Sequence, residues 1–107
     1  KYFEISKNYE INFMEKTVIV KKKFRSKLPG ITHVDNSARL QTITKDQNKK
    51  IYSLLLNFEK ITGYPMLLNT SLNINNEPIC LSPQDAIRTF YSCGLDIMVI
   101  NNFIIEK

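Results

Sequence analysis

Between residues 44 and 62 apolar side chains recur at helical spacing: Ile51, Leu54, Leu55, Phe58 and Ile61 fall on one face. Thr44 and Gln47 have the spacing of a capping box, and Gly63 stands where a left-handed C-terminal cap is wanted. The pattern predicts a helix over 45–62. A second helix is predicted over 83–93. Ser82 is its N-cap, Pro83 its first residue and Asp85 the partner in a second capping box. Ala86, Ile87, Phe90 and Tyr91 form its inner face, and Gly94 closes it. Runs rich in β-branched and apolar residues predict strands at 12–22, 31–35, 38–43, 64–68, 97–100 and 103–106. Residues 26–30 break the first of these from the second. Asn36-Ser37 would turn the second into the third as a hairpin, and Asn101-Asn102 would join the last two. There is no internal repeat, linker or low-complexity tract. The alternation predicts an α/β (α+β) domain: a twisted mixed sheet carrying two main helices.

One polar cluster interrupts this pattern. The run Met66-Leu67-Leu68 stops at Asn69-Thr70-Ser71, and Asn73, Asn75 and Asn76 follow. In an open α/β sheet a ligand binds beyond the carboxyl ends of the strands. Ser71 and Asn73 are two apart, so on extended backbone they share a side and can address a phosphate or carbonyl together. The alternative is a local turn in which these side chains bond only nearby backbone, and composition by itself favours it. Arg39 and Gln41 likewise share a face, and an Arg on a strand beside a turn can offer a fork to a phosphate. His33 and Asp35 would also share a face. His33 is the lone histidine, so a structural His–Asp hydrogen bond is the commoner reading than a metal or acid–base pair. None of the three glycines belongs to a phosphate loop or dinucleotide fingerprint.

Composition narrows the class. The chain has 107 residues, 43% hydrophobic and 23% charged, which suits one globular domain. No apolar run reaches the roughly 20 residues that span a bilayer. The chain opens without an apolar leader or an initiator Met, which predicts an excised piece of a longer, cytoplasmic protein. Cys80 and Cys93 make neither a disulfide framework nor a four-ligand zinc site, and read as small apolar residues. The net charge is +5, with much of the excess in "VKKKFRSK", residues 20–27. Without interleaved aromatics this reads as a solvated strand end and loop before it reads as a nucleic-acid patch. Attraction of an anionic substrate is a third reading.

Two separated stretches then gain a shared meaning: "LPGITHVDNSARLQTI", residues 28–43, and "GYPMLLNTSLNINNEPICLSPQDAIRTFYSCGLDIMVINNFIIEK", residues 63–107. With the helix between them they resemble the carboxy-terminal part of the O-carbamoyltransferase family, whose members carbamoylate hydroxyls on nodulation factors, cephalosporins and aminoglycosides. The resemblance covers residues 28–107 closely and 1–27 more loosely. Three positions depart from the family pattern. Asn36 and Asn76 replace glycines, and Leu72 replaces a phenylalanine. Asn is the next-best residue for a left-handed backbone, so both turns can survive.

The resemblance implies a YrdC-like domain in which ATP (with Mg) and carbamoyl phosphate yield a carbamoyl-adenylate. A larger amino-terminal domain, iron-binding in the family, would then pass the carbamoyl group to a hydroxyl acceptor. Arg39, Ser71 and Asn73 match family positions and are the expected contacts to phosphate, carbamoyl or nucleotide groups. His33, Asp35, Asn69 and Thr70 are expected to shape the site. A Lys-x-Arg element is expected before Lys1, so residues 1–107 amount to a partial domain, with no catalytic residue of its own in isolation and no metal site. A nucleic-acid-binding or non-catalytic interaction module of YrdC-like fold is the alternative. A domain divided through its sheet exposes an edge, which predicts a homo-oligomer of these residues alone.

Overall fold

Val18 and Val20, two apart on a strand, point to the same side, and both are buried. They belong to the first of two compact units, Lys1–Leu68 and Asn69–Lys107, in a computed structural model that describes residues 1–6 and 8–107. In the first unit β1 (Lys16–Ile19) pairs antiparallel with β2 (Ser37–Leu40), setting Val18 opposite Ala38. Phe3 makes a further antiparallel bridge to Val20. Tyr2, Phe3, Ile11, Val18, Val20 and Ala38 form the core, and Phe24, Leu28, Ile31, Tyr64 and Met66 pack around it.

Several strand boundaries differ from the sequence expectation, each for a local reason. The expected strand 12–22 is confined to Lys16–Ile19, because side chains from residues 39–47 grip the backbone and side chains of residues 11–14. Arg39 Nε and Nη2 donate to Met14 O at 3.1 and 2.9 Å. Gln41 Nε2 donates to Asn12 O at 2.9 Å, Gln47 Nε2 to Asn12 Oδ1 at 2.6 Å, and Thr42 Oγ1 accepts from Ile11 N at 2.9 Å. The tail of that run coils instead into the short helix α1 (Lys22–Arg25). There Arg25 Nε donates to Val20 O at 2.9 Å, and the Phe24 ring lies edge-on to Tyr2 at 4.8 Å.

Residues 31–35 are not a strand. Pro29–Ile31 form a single 3-10 turn. His33–Asn36 then close a turn in which Asn36 N donates to His33 O at 2.9 Å and Asn36 takes φ 68°. Asp35 Oδ1 accepts from Ser37 N at 2.9 Å, the side-chain-to-backbone bond by which Asp competes with a ladder. β2 therefore pairs with β1 rather than with 31–35.

α2 (Lys49–Thr62) starts one turn later than expected. The Thr44–Gln47 box is present, with Thr44 N on Gln47 Oε1 at 2.9 Å and Gln47 N on Thr44 Oγ1 at 3.3 Å, but it closes a separate turn. Asn48, extended at φ −156°, is the true cap and accepts from Ile51 N at 3.0 Å. Asn outranks Thr at this position. Gly63 ends the helix as expected, at φ 80° with its N–H on Glu59 O. Residues 64–68, expected as a strand, form no regular element and belong to no sheet.

In the second unit α3 (Pro83–Ser92) has the expected capping box: Asp85 N donates to Ser82 Oγ, and Ser82 N to Asp85 Oδ2. It buries Ala86, Thr89 and Phe90. The helix ends through an extended Cys93 (φ −130°), whose carbonyl accepts from Lys107 Nζ, and not through a left-handed Gly94. β3 (Ile97–Ile100) and β4 (Phe103–Glu106) form the expected hairpin, with Asn101 at φ 54°. Met98 and Ile105 face each other beneath α3 and, with Leu72, Cys80 and Ile100, enclose Phe90. The α+β class is as expected. Among the described residues, however, the strands make two separate antiparallel pairs in place of one mixed sheet. No described helix is long and apolar enough to cross a membrane.

Candidate functional site

The predicted site residues fall in two places, one in each unit. In the first, the turn after the 3-10 segment gathers His33 and Asp35 around Ser37. His33 Nδ1 lies 3.0 Å from Ser37 Oγ, so the expected direct His–Asp bond is replaced by two separate bonds to one serine. Hydrogen bonds from the Ser37 hydroxyl and amide hold the Asp35 carboxyl below the usual carboxylate range, and His33 adds a smaller push in the same direction. Ser37 is only 5% exposed, while His33 and Asp35 lie at the surface. A serine so enclosed and engaged sets the turn; it is poorly placed to attack a substrate. Sequence reasoning treated Ser37 as a plain turn residue. The signal that could have singled it out is its place two residues after Asp35, the spacing of an Asx-turn.

Two residues beyond Ser37, Arg39 stands exposed on β2. Its fork closes on Met14 O through two of its five N–H donors. The other donors have no protein partner among the described residues. Gln41, the next residue on that face, holds Asn12 in the same way. The shared face foreseen for Arg39 and Gln41 is real, and one of its roles is to fasten residues 12–14 to β2.

In the second unit residues 69–77 form a loop closed largely by its own side chains. Ser71 Oγ donates to Asn73 Oδ1 at 2.6 Å. Asn73 Nδ2 donates to Glu77 O at 3.1 Å and Ile74 O at 3.2 Å. Thr70 Oγ1 donates to Ser71 O at 3.3 Å, and Asn69 is also engaged. Asn76 takes φ 67°, the left-handed turn expected at this position. Cys80 N donates to Leu72 O at 3.0 Å, which returns the chain beside its start. Arg88 of α3 lies 3.9 Å from Glu77 and 3.7 Å from Asp85, exposed ion pairs of the kind that add little stability. Sequence reasoning did not single out Glu77 or Arg88. The loop thus has the bonds of the local-turn alternative. Ser71 nevertheless stays at the surface, with a hydroxyl that can turn to an incoming anion.

No described group of three or more His, Cys, Asp or Glu could hold a metal ion. Cys80 Sγ lies 3.2 Å from the buried Thr89 hydroxyl, and both cysteines are free thiols. A cleft of about 310 Å³ in the first unit, lined by Leu28, Ile31, Phe58, Tyr64, Met66 and their neighbours, contains none of the predicted site residues.

Comparison with known proteins covers the whole chain. The family model for the carbamoyltransferase C-terminus matches residues 1–107. Nodulation protein NolNO of Sinorhizobium fredii is 41% identical over 108 residues, which is 100% of this chain and 16% of the relative. Nodulation protein NolO of Bradyrhizobium diazoefficiens is 42% identical over 98 residues, 92% of this chain and 18% of the relative. An uncharacterized Synechocystis protein, sll1178, is 48% identical over 83 residues, 78% of this chain and 14% of the relative. The chain spans less than a fifth of the length of each of these relatives.

Proposed function

The chain belongs to the carbamoyltransferase C-terminal family, and from that premise we propose that it contributes the anion-binding part of a site that makes a carbamoyl-adenylate from ATP, carbamoyl phosphate and water, releasing pyrophosphate and inorganic phosphate. In the full-length protein the activated carbamoyl group would pass to a hydroxyl acceptor. The observation that carries this reading is the family match across all 107 residues.

The side chains fit the task in kind. Every group handled before transfer is a phosphate anion or an adenylate, so the chemistry needs oriented donors more than a nucleophile. Arg39 offers a permanent charge and donors beyond those given to Met14. The surface hydroxyl of Ser71 adds a neutral donor once it leaves Asn73. Asn73, fixed by its bonds to Ile74 and Glu77, keeps the loop in shape for Ser71. His33 and Asp35 do the same for the turn that leads into Arg39. ATP supplies the adenylyl group, and Mg would arrive on its phosphates. With no described carboxylate cluster to cage a cation, none of these steps is assigned to a protein-held metal.

The test is isotope exchange between pyrophosphate and ATP in the full-length protein. Exchange that requires carbamoyl phosphate is the expected result. Exchange that ignores carbamoyl phosphate, or no exchange from a folded and complete protein, would remove the adenylate from the account.

A further inference from the structure

Residues 65–68 are the least satisfied part of the first unit. The run is apolar and outside any helix or strand, and among the described residues no backbone hydrogen bond involves Pro65, Met66, Leu67 or Leu68. Met66 packs on the core, while Leu67 and Leu68 are 44% and 69% exposed. The same three residues line the apolar cleft of about 310 Å³ together with Leu28 and Ile31. Unpaired N–H and C=O groups beside an apolar groove make a template for one more strand. Backbone bonds would hold such a strand, and alternate side chains would fill the groove.

We infer that the stretch of the full-length chain immediately preceding Lys1 adds as a strand along residues 65–68 and places apolar side chains in this cleft. Proximity is the first reason. The Tyr2 hydroxyl donates to Gly63 O at 3.1 Å, and its ring lies 5.8 Å from that of Tyr64. The residue next to Lys1 therefore reaches the start of the open run. At about 3.3 Å per residue, some five residues suffice to cover it. Length is the second reason. The family model is that of a C-terminus, and the matched region is 16% of one relative and 18% of another, so most of such a chain is available outside this region. Tethering is the third. A segment joined directly to Lys1 competes at an effective concentration in the millimolar range, ahead of a second copy in dilute solution. The inference rests on family membership and not on the reaction proposed above.

Two measurements on the full-length protein test it. Amide hydrogen exchange at Met66, Leu67 and Leu68 should be slowed by about a hundredfold or more against the unstructured rate. Exchange at the unstructured rate overturns the inference. A photo-reactive residue placed at Leu68 should cross-link to residues preceding Lys1, at a yield independent of protein concentration. Cross-links to residues 69–107, or to a second molecule with a yield that rises with concentration, overturn it by naming a different occupant.

Discussion

At Asn36 and Asn76 a carboxamide residue takes the left-handed backbone that glycine adopts most readily, holding φ at 68° and 67°. These turns carry the two parts of the candidate site, one leading into Arg39 and the other following Ser71. Ser71 gives its hydroxyl to a neighbouring side chain only, so its removal tests function with little effect on folding. Ser71→Ala should lower adenylate formation by the worth of one neutral hydrogen bond, about 0.5–1.5 kcal/mol or up to about tenfold. Its melting temperature should stay within a degree or two, as a melting curve beside the exchange assay will show. Asp85 contributes to the acid response of the protein, as does Asp35. Hydrogen bonds from Ser82 hold the Asp85 carboxyl below the ordinary range, with Arg88 a smaller contribution. A carboxylate with a depressed folded pKa contributes stability that is fully present above its unfolded value, about 3.9, and lost as pH falls through the folded value. The melting temperature should therefore hold from neutral pH to about pH 5 and fall below pH 4. Asp85→Asn should flatten that fall; a wild-type acid slope in the variant would contradict the assignment.

At the scale of elements, α3 and the β3–β4 hairpin were legible because their signals are local and agree with one another. The Ser82–Asp85 box, Pro83 and the buried Ala86 and Phe90 specify one helix, although Ile87 and Tyr91, also expected on its inner face, are exposed, and Asn101-Asn102 specifies one hairpin. α2 shows where such reading stops. Two caps compete within five residues, and the bonds between 39–47 and 11–14, which lie far apart in sequence, leave Thr44 outside the helix. Asn48→Ala should accordingly cost about 1 kcal/mol of stability. Thr44→Ala should cost less, since it releases a turn and not a helix end; denaturant titration of both variants will rank them. The strand expected at 31–35 failed for a similar reason. Its β-branched Ile31, Thr32 and Val34 suit a strand, but Asp35, Asn36 and Ser37 offer the backbone better local partners than a ladder would. The proposed anion site was legible only as residue types in a family pattern. The bond from Arg39 to Met14 spans 25 positions in sequence and left no mark in either stretch.

For the whole molecule, the open run at 65–68 and the exposed Ile51, Leu54 and Ile61 of α2 describe surfaces that call for covering. Residues 1–107 produced by themselves should therefore self-associate, with a mass by light scattering that rises with concentration. A clean monomer at about millimolar concentration would contradict this. The full-length protein joins these scales through Arg39, which holds residues 12–14 in place and, in our account, an anion as well. Arg39→Ala loses two bonds to one exposed carbonyl, about 1 kcal/mol of stability at most. Loss of a charge-assisted contact to a phosphate is worth about 1.5–3 kcal/mol, or roughly ten- to a hundredfold in rate. The decisive measurement is carbamoyl-phosphate-dependent exchange of pyrophosphate into ATP by full-length Arg39→Ala, read beside its melting curve. The account predicts a ten- to hundredfold loss in a protein that melts within a few degrees of the parent. Undiminished exchange, or a loss wholly explained by the unfolded fraction, would leave Arg39 as a fastener of residues 12–14 and nothing more.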